Sequence, residues 1–151
     1  MADISGFGSI VTLKASITFP TGLPLTQFAD DSDPFDIPEL QIGDAAKGVN
    51  GDLVTWKKAM PIPITIGLVP NSTNDQEMSL LLMRNTPVRN QAVIKDIITI
   101  SVVYPDQGTL TLTNGSMTHG MPGLSIASAG RFKSKTYKFT FESAIFVPTN
   151  I

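Results

Sequence analysis

The sequence predicts an α+β fold that is mainly β: an antiparallel β-sandwich or barrel with one packed helix and one long loop. Three observations predict it. Apolar and polar residues alternate with period 2 through most of the chain. One stretch, residues 72–84, has helical spacing instead. Clusters of Pro, Gly, Asn and Asp separate the alternating runs and stop each of them.

In the first run, Val11, Leu13, Ala15, Ile17 and Phe19 point one way and Thr12, Lys14, Ser16 and Thr18 the other. Pro20, Gly22 and Pro24 then end it. Residues 20–52 read as a long irregular loop with the acids Asp30, Asp31, Asp33, Asp36 and Glu39, and with room for a short strand near residues 37–42. Residues 56–68 resume as a strand. Lys58, Met60, Ile62, Ile64, Ile66 and Leu68 share one face, with Pro61 and Pro63 on the other. Proline donates nothing to a ladder, so this strand belongs at an edge or carries a bulge.

Ser72 and Asp75 have the spacing of a capping box, and Arg84 suits the C-terminal end of the helix dipole. Met78, Leu81, Leu82 and Asn85 form one stripe, flanked by Leu80 and Met83, which predicts a well-covered helix. Pro87 bars its continuation. Residues 97–113 form a hairpin around Pro105-Asp106-Gln107-Gly108. Gly115 to Gly130 reads as a flexible loop, and residues 131–147 as the last strand. No internal repeat is visible, and 151 residues fit one domain spanning residues 1–151.

Composition narrows the chemistry. There is no cysteine and one histidine, which excludes thiolate metal sites, cysteine nucleophiles and paired-histidine centres. Only 16% of residues are charged although mean hydropathy is +0.14. A typical globular chain has about 25% charged residues. So little charge implies apolar surface hidden beyond one ordinary core, and hence assembly. The net charge of −2 is unevenly divided. Residues 1–55 hold eight acids against two bases, giving −6, and residues 56–151 hold nine bases against five acids, giving +4. Opposite halves of this kind attract within a fold or between copies.

No catalytic constellation emerges, and the chain is not expected to be an enzyme. His119 stands alone between Thr118 and Gly120 and reads as a solvated residue. The acidic run lacks the glycine and glutamate of a calcium loop. Arg131, Lys133, Lys135 and Lys138 resemble a phosphate-binding stripe but lack interleaved aromatic platforms, so pairing with the acidic loop is the better reading. Trp56, the sole tryptophan, reads as a core or interface anchor. No cofactor or metal is expected. No run of about 18 apolar residues predicts a membrane span, and residues 1–8 lack an export signal.

The run from Met78 to Asn85, the following Asp96-Ile-Ile-Thr-Ile100 with its hairpin, and the closing Lys135-Thr-Tyr-Lys-Phe-Thr-Phe141 together resemble tail tube proteins of contractile-tailed bacteriophages and related phage-like particles. The resemblance covers most of the chain in layout and residues 56–145 in detail. It implies hexameric rings whose strands join into one inner β-barrel, stacked within a sheath. It also implies a lumen through which double-stranded DNA passes without specific binding, with sheath and baseplate proteins as partners. The virion tail is then the expected location, after synthesis in the host cytoplasm.

The candidate contacts between subunits or rings are Asp30, Asp31, Asp33, Asp36, Glu39, Arg131, Lys133, Lys135 and Trp56. Lysines would hold DNA at the lumen wall, so Lys133 and Lys135 are expected to face outwards or into a ring contact. The serine- and threonine-rich faces (Thr12, Ser16, Thr18; Thr109, Thr111, Thr113) suit a wet, uncharged wall. Two alternatives stand beside the tube subunit: a baseplate or tail-terminus ring of the same fold, and a β-sandwich binding or decoration module.

Overall fold

A computed structural model of the chain describes residues 8–29 and 33–148. Nine strands and one helix follow in the order β1 Ile10–Ala15, β2 Phe19–Leu25, β3 Phe35–Asp36, β4 Gly43–Lys47, β5 Leu53–Lys57, β6 Ile62–Leu68, α1 Thr73–Asn85, β7 Ile98–Tyr104, β8 Gly108–His119 and β9 Lys135–Pro148. Seven of the strands form one antiparallel sheet in the order β2-β1-β7-β8-β9-β6-β3, and β4 and β5 form a separate two-stranded sheet. The large sheet curls but does not close. Val11 and Val102, from one side of the sheet order, line the same groove as Phe28 and Phe35 from the other.

The expected mainly β fold with one helix is the observed one. Its alternating runs supply the core: Val11, Leu13 and Ala15 from β1, Ile98, Ile100 and Val102 from β7, and Tyr137, Phe139 and Phe141 from β9 are all buried. Helix α1 lies over this face and buries Met78 and Leu81. Each large apolar side chain so removed from water contributes about 1.5–3 kcal/mol. Only one stripe of the helix is covered, however, and Leu80 and Met83 stay exposed, so its coverage is narrower than its composition implied.

Polar groups fix the ends of α1. The Ser72 hydroxyl caps the helix by accepting from the Asp75 N–H. The buried side chain of Asn74 accepts from the N–H groups of Thr26 and Gln27 and donates to the Pro24 carbonyl, tying the helix start to the end of β2. At the far end Asn85 donates to the Asp96 carboxylate at 2.8 Å. Asp96 also accepts from the N–H groups of Ile17 and Thr18 and from the Thr18 hydroxyl, which pins the β1–β2 turn. Burial works against this charge, but the Thr18 and Asn85 hydrogen bonds and the two backbone N–H groups outweigh it. The carboxyl is therefore held below its ordinary pKa.

Several boundaries differ from expectation, each for a physical reason. Residues 20–25 are strand, not loop. Pro20 and Pro24 are tolerated because β2 is the edge of the sheet. Residues 37–42 form no strand, whereas β3 and β4 form within the expected loop and β5 starts directly after it. The expected strand over 56–68 divides into β5 and β6, with a break at residues 58–61. In β6, the Gly67 N–H and carbonyl bond to Pro34 and Ala29, away from β9. Pro63, four residues earlier, therefore turns its donor-less nitrogen to the same open side, which is the edge arrangement its proline predicted. Strand β8 continues through Gly115 to His119 instead of becoming a loop. Its burial pattern shifts phase at Asn114, which has φ 53°. Gly115 then lies so close to the Phe141 ring that a Cβ would stand 2.2 Å from it.

Candidate assembly interface

Three surfaces of the chain are candidates for contact. The first is the face of the main sheet opposite the core. Register places Thr12, Ser101 and Thr111 in one row across β1, β7 and β8, with Thr113 and Ser143 paired beside it at 2.8 Å between their hydroxyls. The expected serine- and threonine-rich face is present as this row, but exposed Ile10, Val103, Ile145 and Val147 lie on the same face, which is therefore mixed and not purely polar. Ser16 and Thr18 do not belong to it. They lie in the β1–β2 turn, where the Ser16 hydroxyl accepts from the Ile97 N–H and Thr18 holds Asp96.

The second surface is the open edge of β9. Residues 135–141 pair with β6 on one side, ending at Phe141 opposite Ile62. Residues 142–148 pair only with β8 among the described residues. Ile145, Phe146 and Val147 are exposed there. Phe146 meets the Tyr104 ring edge-on at 6.1 Å between centroids. A row of unpaired backbone groups flanked by apolar side chains is a template for another strand.

The third surface is the β4–β5 hairpin, every residue of which is exposed or half-exposed. Trp56 lies on it, 45% exposed, as an anchor without a core. The Lys58–Asp44 ion pair at 3.3 Å closes its base.

The charged candidates divide. Asp33, Asp36 and Glu39 are exposed around β3, while Asp30 and Asp31 lie outside the described residues. Arg131 and Lys133 are exposed in the loop before β9, where the backbone of residues 125–133 folds into a small turn through Ala127–Arg131 and Lys133–Ser125 hydrogen bonds. The expected basic strand face does not exist, because β9 begins only at Lys135 and that residue points into the core. Lys135 is 2% exposed and pairs with Asp75 at 3.4 Å. Asp75 also accepts from the Tyr137 hydroxyl at 2.7 Å and from the Asn71 N–H at 2.8 Å. Burial and the Asp75 carboxylate raise the Tyr137 phenol well above its ordinary pKa, so it stays a donor. Lys135 is thus a strut between α1 and β9 and leaves the list of surface contacts. His119, at the exposed end of β8, stands opposite Lys138 with its Nδ1 2.9 Å from the Thr118 hydroxyl. Sequence reasoning missed the β9 edge and Asn74. The apolar run 145–147 was the available signal for the edge.

The family described as Tail fiber protein gp32 matches residues 2–145. The chain belongs to that family. It is therefore a component of phage-type tails, which is broader than the tail tube resemblance of the sequence. No curated protein sequence matches it significantly.

Among solved structures, the fold is similar to a chain of the sheath/tube terminator of an extracellular contractile injection system, PVC, in the extended state. That match has TM-score 0.58 and 17% identity, and covers 97% of this chain and 98% of that one. A chain of the six-fold symmetrised anti-feeding prophage baseplate matches with TM-score 0.63 and 9% identity over 100% and 99% of the two chains. A chain of the PVC sheath–tube complex matches with TM-score 0.57 and 19% identity over 97% and 92%. At these identities the likeness is one of fold.

Proposed function

We propose that this gp32-family chain is a structural, non-enzymatic subunit that forms a ring at an end of a contractile tail's tube, as a terminator or baseplate ring. The observation that carries the reading is the open edge of β9, in a sheet that curls without closing. A ring satisfies such a sheet when the edge of each copy pairs with the next, so that no edge is left. The end-of-tube placement is supported by the terminator and baseplate chains that share the fold over nearly their whole length. In such a ring the threonine-rich face lines the lumen, where few fixed charges would hold passing DNA. A homo-hexamer is the expected ring, with sheath, tube and baseplate proteins beside it.

The second reading, a repeating tube subunit, is favoured by the sheath–tube chain of similar fold. Electron microscopy of the purified protein separates the two. Rings that do not lengthen with concentration support the end ring, and tubes that do lengthen support the tube subunit. Monomers at every concentration would overturn both.

A further inference from the structure

Between α1 and β9, four side chains close a circuit of contacts that includes the buried ion pair. The Lys135 Nζ lies 3.4 Å from Asp75 Oδ1 and 3.4 Å from the Ser79 hydroxyl. The Ser79 hydroxyl lies 3.0 Å from that of Tyr137, which donates to the same Asp75 Oδ1 at 2.7 Å. The other carboxylate oxygen, Oδ2, accepts from the Asn71 N–H at 2.8 Å. Lys135, Asp75 and Tyr137 are each at most 2% exposed.

The circuit serves the carboxyl group better than the ammonium. A buried ammonium is costly unless close contacts replace its water. Charge-assisted hydrogen bonds run at about 2.7–2.9 Å, and both contacts of Nζ are longer. The short bonds fall instead on the carboxyl oxygens, one from Tyr137 and one from Asn71. An amine held against a carboxyl group, with a donor on each oxygen and water excluded, is the arrangement that acyl transfer to nitrogen requires.

We propose that Lys135 and Asp75 condense to an amide between Nζ and Cγ, an internal cross-link from β9 to α1. The ion pair is the starting state. One proton passes from Nζ to Oδ1 through the Ser79 and Tyr137 hydroxyls, each of which takes one proton and gives one. The Nζ lone pair then forms the bond to Cγ, and the carbonyl π pair moves to Oδ2, where the Asn71 N–H meets the developing charge. A second proton follows the same path, the Cγ–Oδ1 bond breaks, the carbonyl reforms at Oδ2 and Oδ1 leaves as water. An ammonium and a carboxylate thus become a secondary amide and one water, with no oxidant, reductant or co-reactant. Burial favours the product, because two charges leave the core and water is kept from reversing the step. The link ties residue 75 to residue 135 as a disulfide would, in a chain that has no cysteine. It needs no second copy, so it stands apart from the ring reading above.

Intact mass spectrometry of the purified, folded chain tests the cross-link. The protein should weigh one water less than its sequence. A protease digest should yield a branched peptide that joins the Asp75 segment to Lys135. The full sequence mass after prolonged incubation would overturn the proposal and leave an ion pair only. A lost water mapped to any other residues would overturn it equally. Lys135→Met removes the amine and should keep its full mass, and a lost water in that variant would count against the assignment. Tyr137→Phe keeps the aromatic ring and both reacting groups but removes the relay and the donor to Oδ1. At equal times after synthesis its cross-linked fraction should be tenfold or more below that of the wild-type chain. An equal fraction would overturn the relay through Tyr137.

Discussion

Over residues 135–141, β9 is paired with β6 throughout and with β8 from Lys138 onward, and every second side chain is buried. In residues 142–148 it is paired on one side and no side chain is fully buried. The halves also differ in pattern, since residues 135–141 alternate aromatic residues with lysine and threonine, whereas residues 142–148 gather Ile145, Phe146 and Val147 into one apolar run. The neighbour differs with them. β6 and α1 cover the first half, and nothing among the described residues covers the second. Burial along β9 therefore follows the β6 neighbour and ends where that pairing ends, at Phe141.

Substitutions sharpen this contrast in order of size. Phe139→Ala, in the covered half, should cost about 3–5 kcal/mol, read by urea or thermal unfolding, because it empties fully buried space. Lys135→Ala should cost about 3 kcal/mol, because Asp75 would keep its charge in a buried site without its cation. A loss below 1 kcal/mol there would mean that the Tyr137 and Asn71 hydrogen bonds hold the carboxylate unaided. Gly115→Ala should cost about 1–3 kcal/mol through collision with Phe141, where the covered half gives way to the open one.

A pH titration provides a control outside β9. The carboxyl of Asp96 sits below its ordinary value in the folded state, so its contribution is complete above about pH 4 and is lost as pH falls through the lowered folded value. Acid should therefore weaken the β1–β2 turn, and Asp96→Asn should flatten the acid limb of the stability curve. The smallest effect on the monomer belongs to the open half. Ile145→Lys should change monomer stability by less than about 0.5 kcal/mol and yet abolish assembly. Full assembly of that variant would show that the edge of β9 is not an interface.

The elements legible in the sequence were those written by local rules. The Ser72–Asp75 cap, the Asp106–Gly108 turn and the alternation of Val11, Leu13 and Ala15 each mark structure within a few residues of themselves. β2 was hidden because its prolines argue against a strand, until its place at the sheet's edge is known. Lys135 was misread for a similar reason. A lysine at a strand position signals solvent, and its partner Asp75 lies sixty residues earlier in the chain. The acidic segment was visible as charge, but the place of Asp36 at the groove shared by Val102 and Phe35 depends on how the sheet curls. The open edge depends on where β6 begins, at Ile62, which no pattern within β9 records.

A strand with one neighbour also carries its own isotope clock. Along residues 142–148, successive N–H groups point alternately to β8 and to the vacant side, as in any antiparallel ladder. In the isolated protomer, every second amide should thus exchange with deuterium quickly while those between are protected. A copy seated on that edge would slow the fast set and leave the slow set unchanged. The alternation would then fade residue by residue as far as the new pairing reaches, so the length of the contact could be counted in single amides without resolving the assembly.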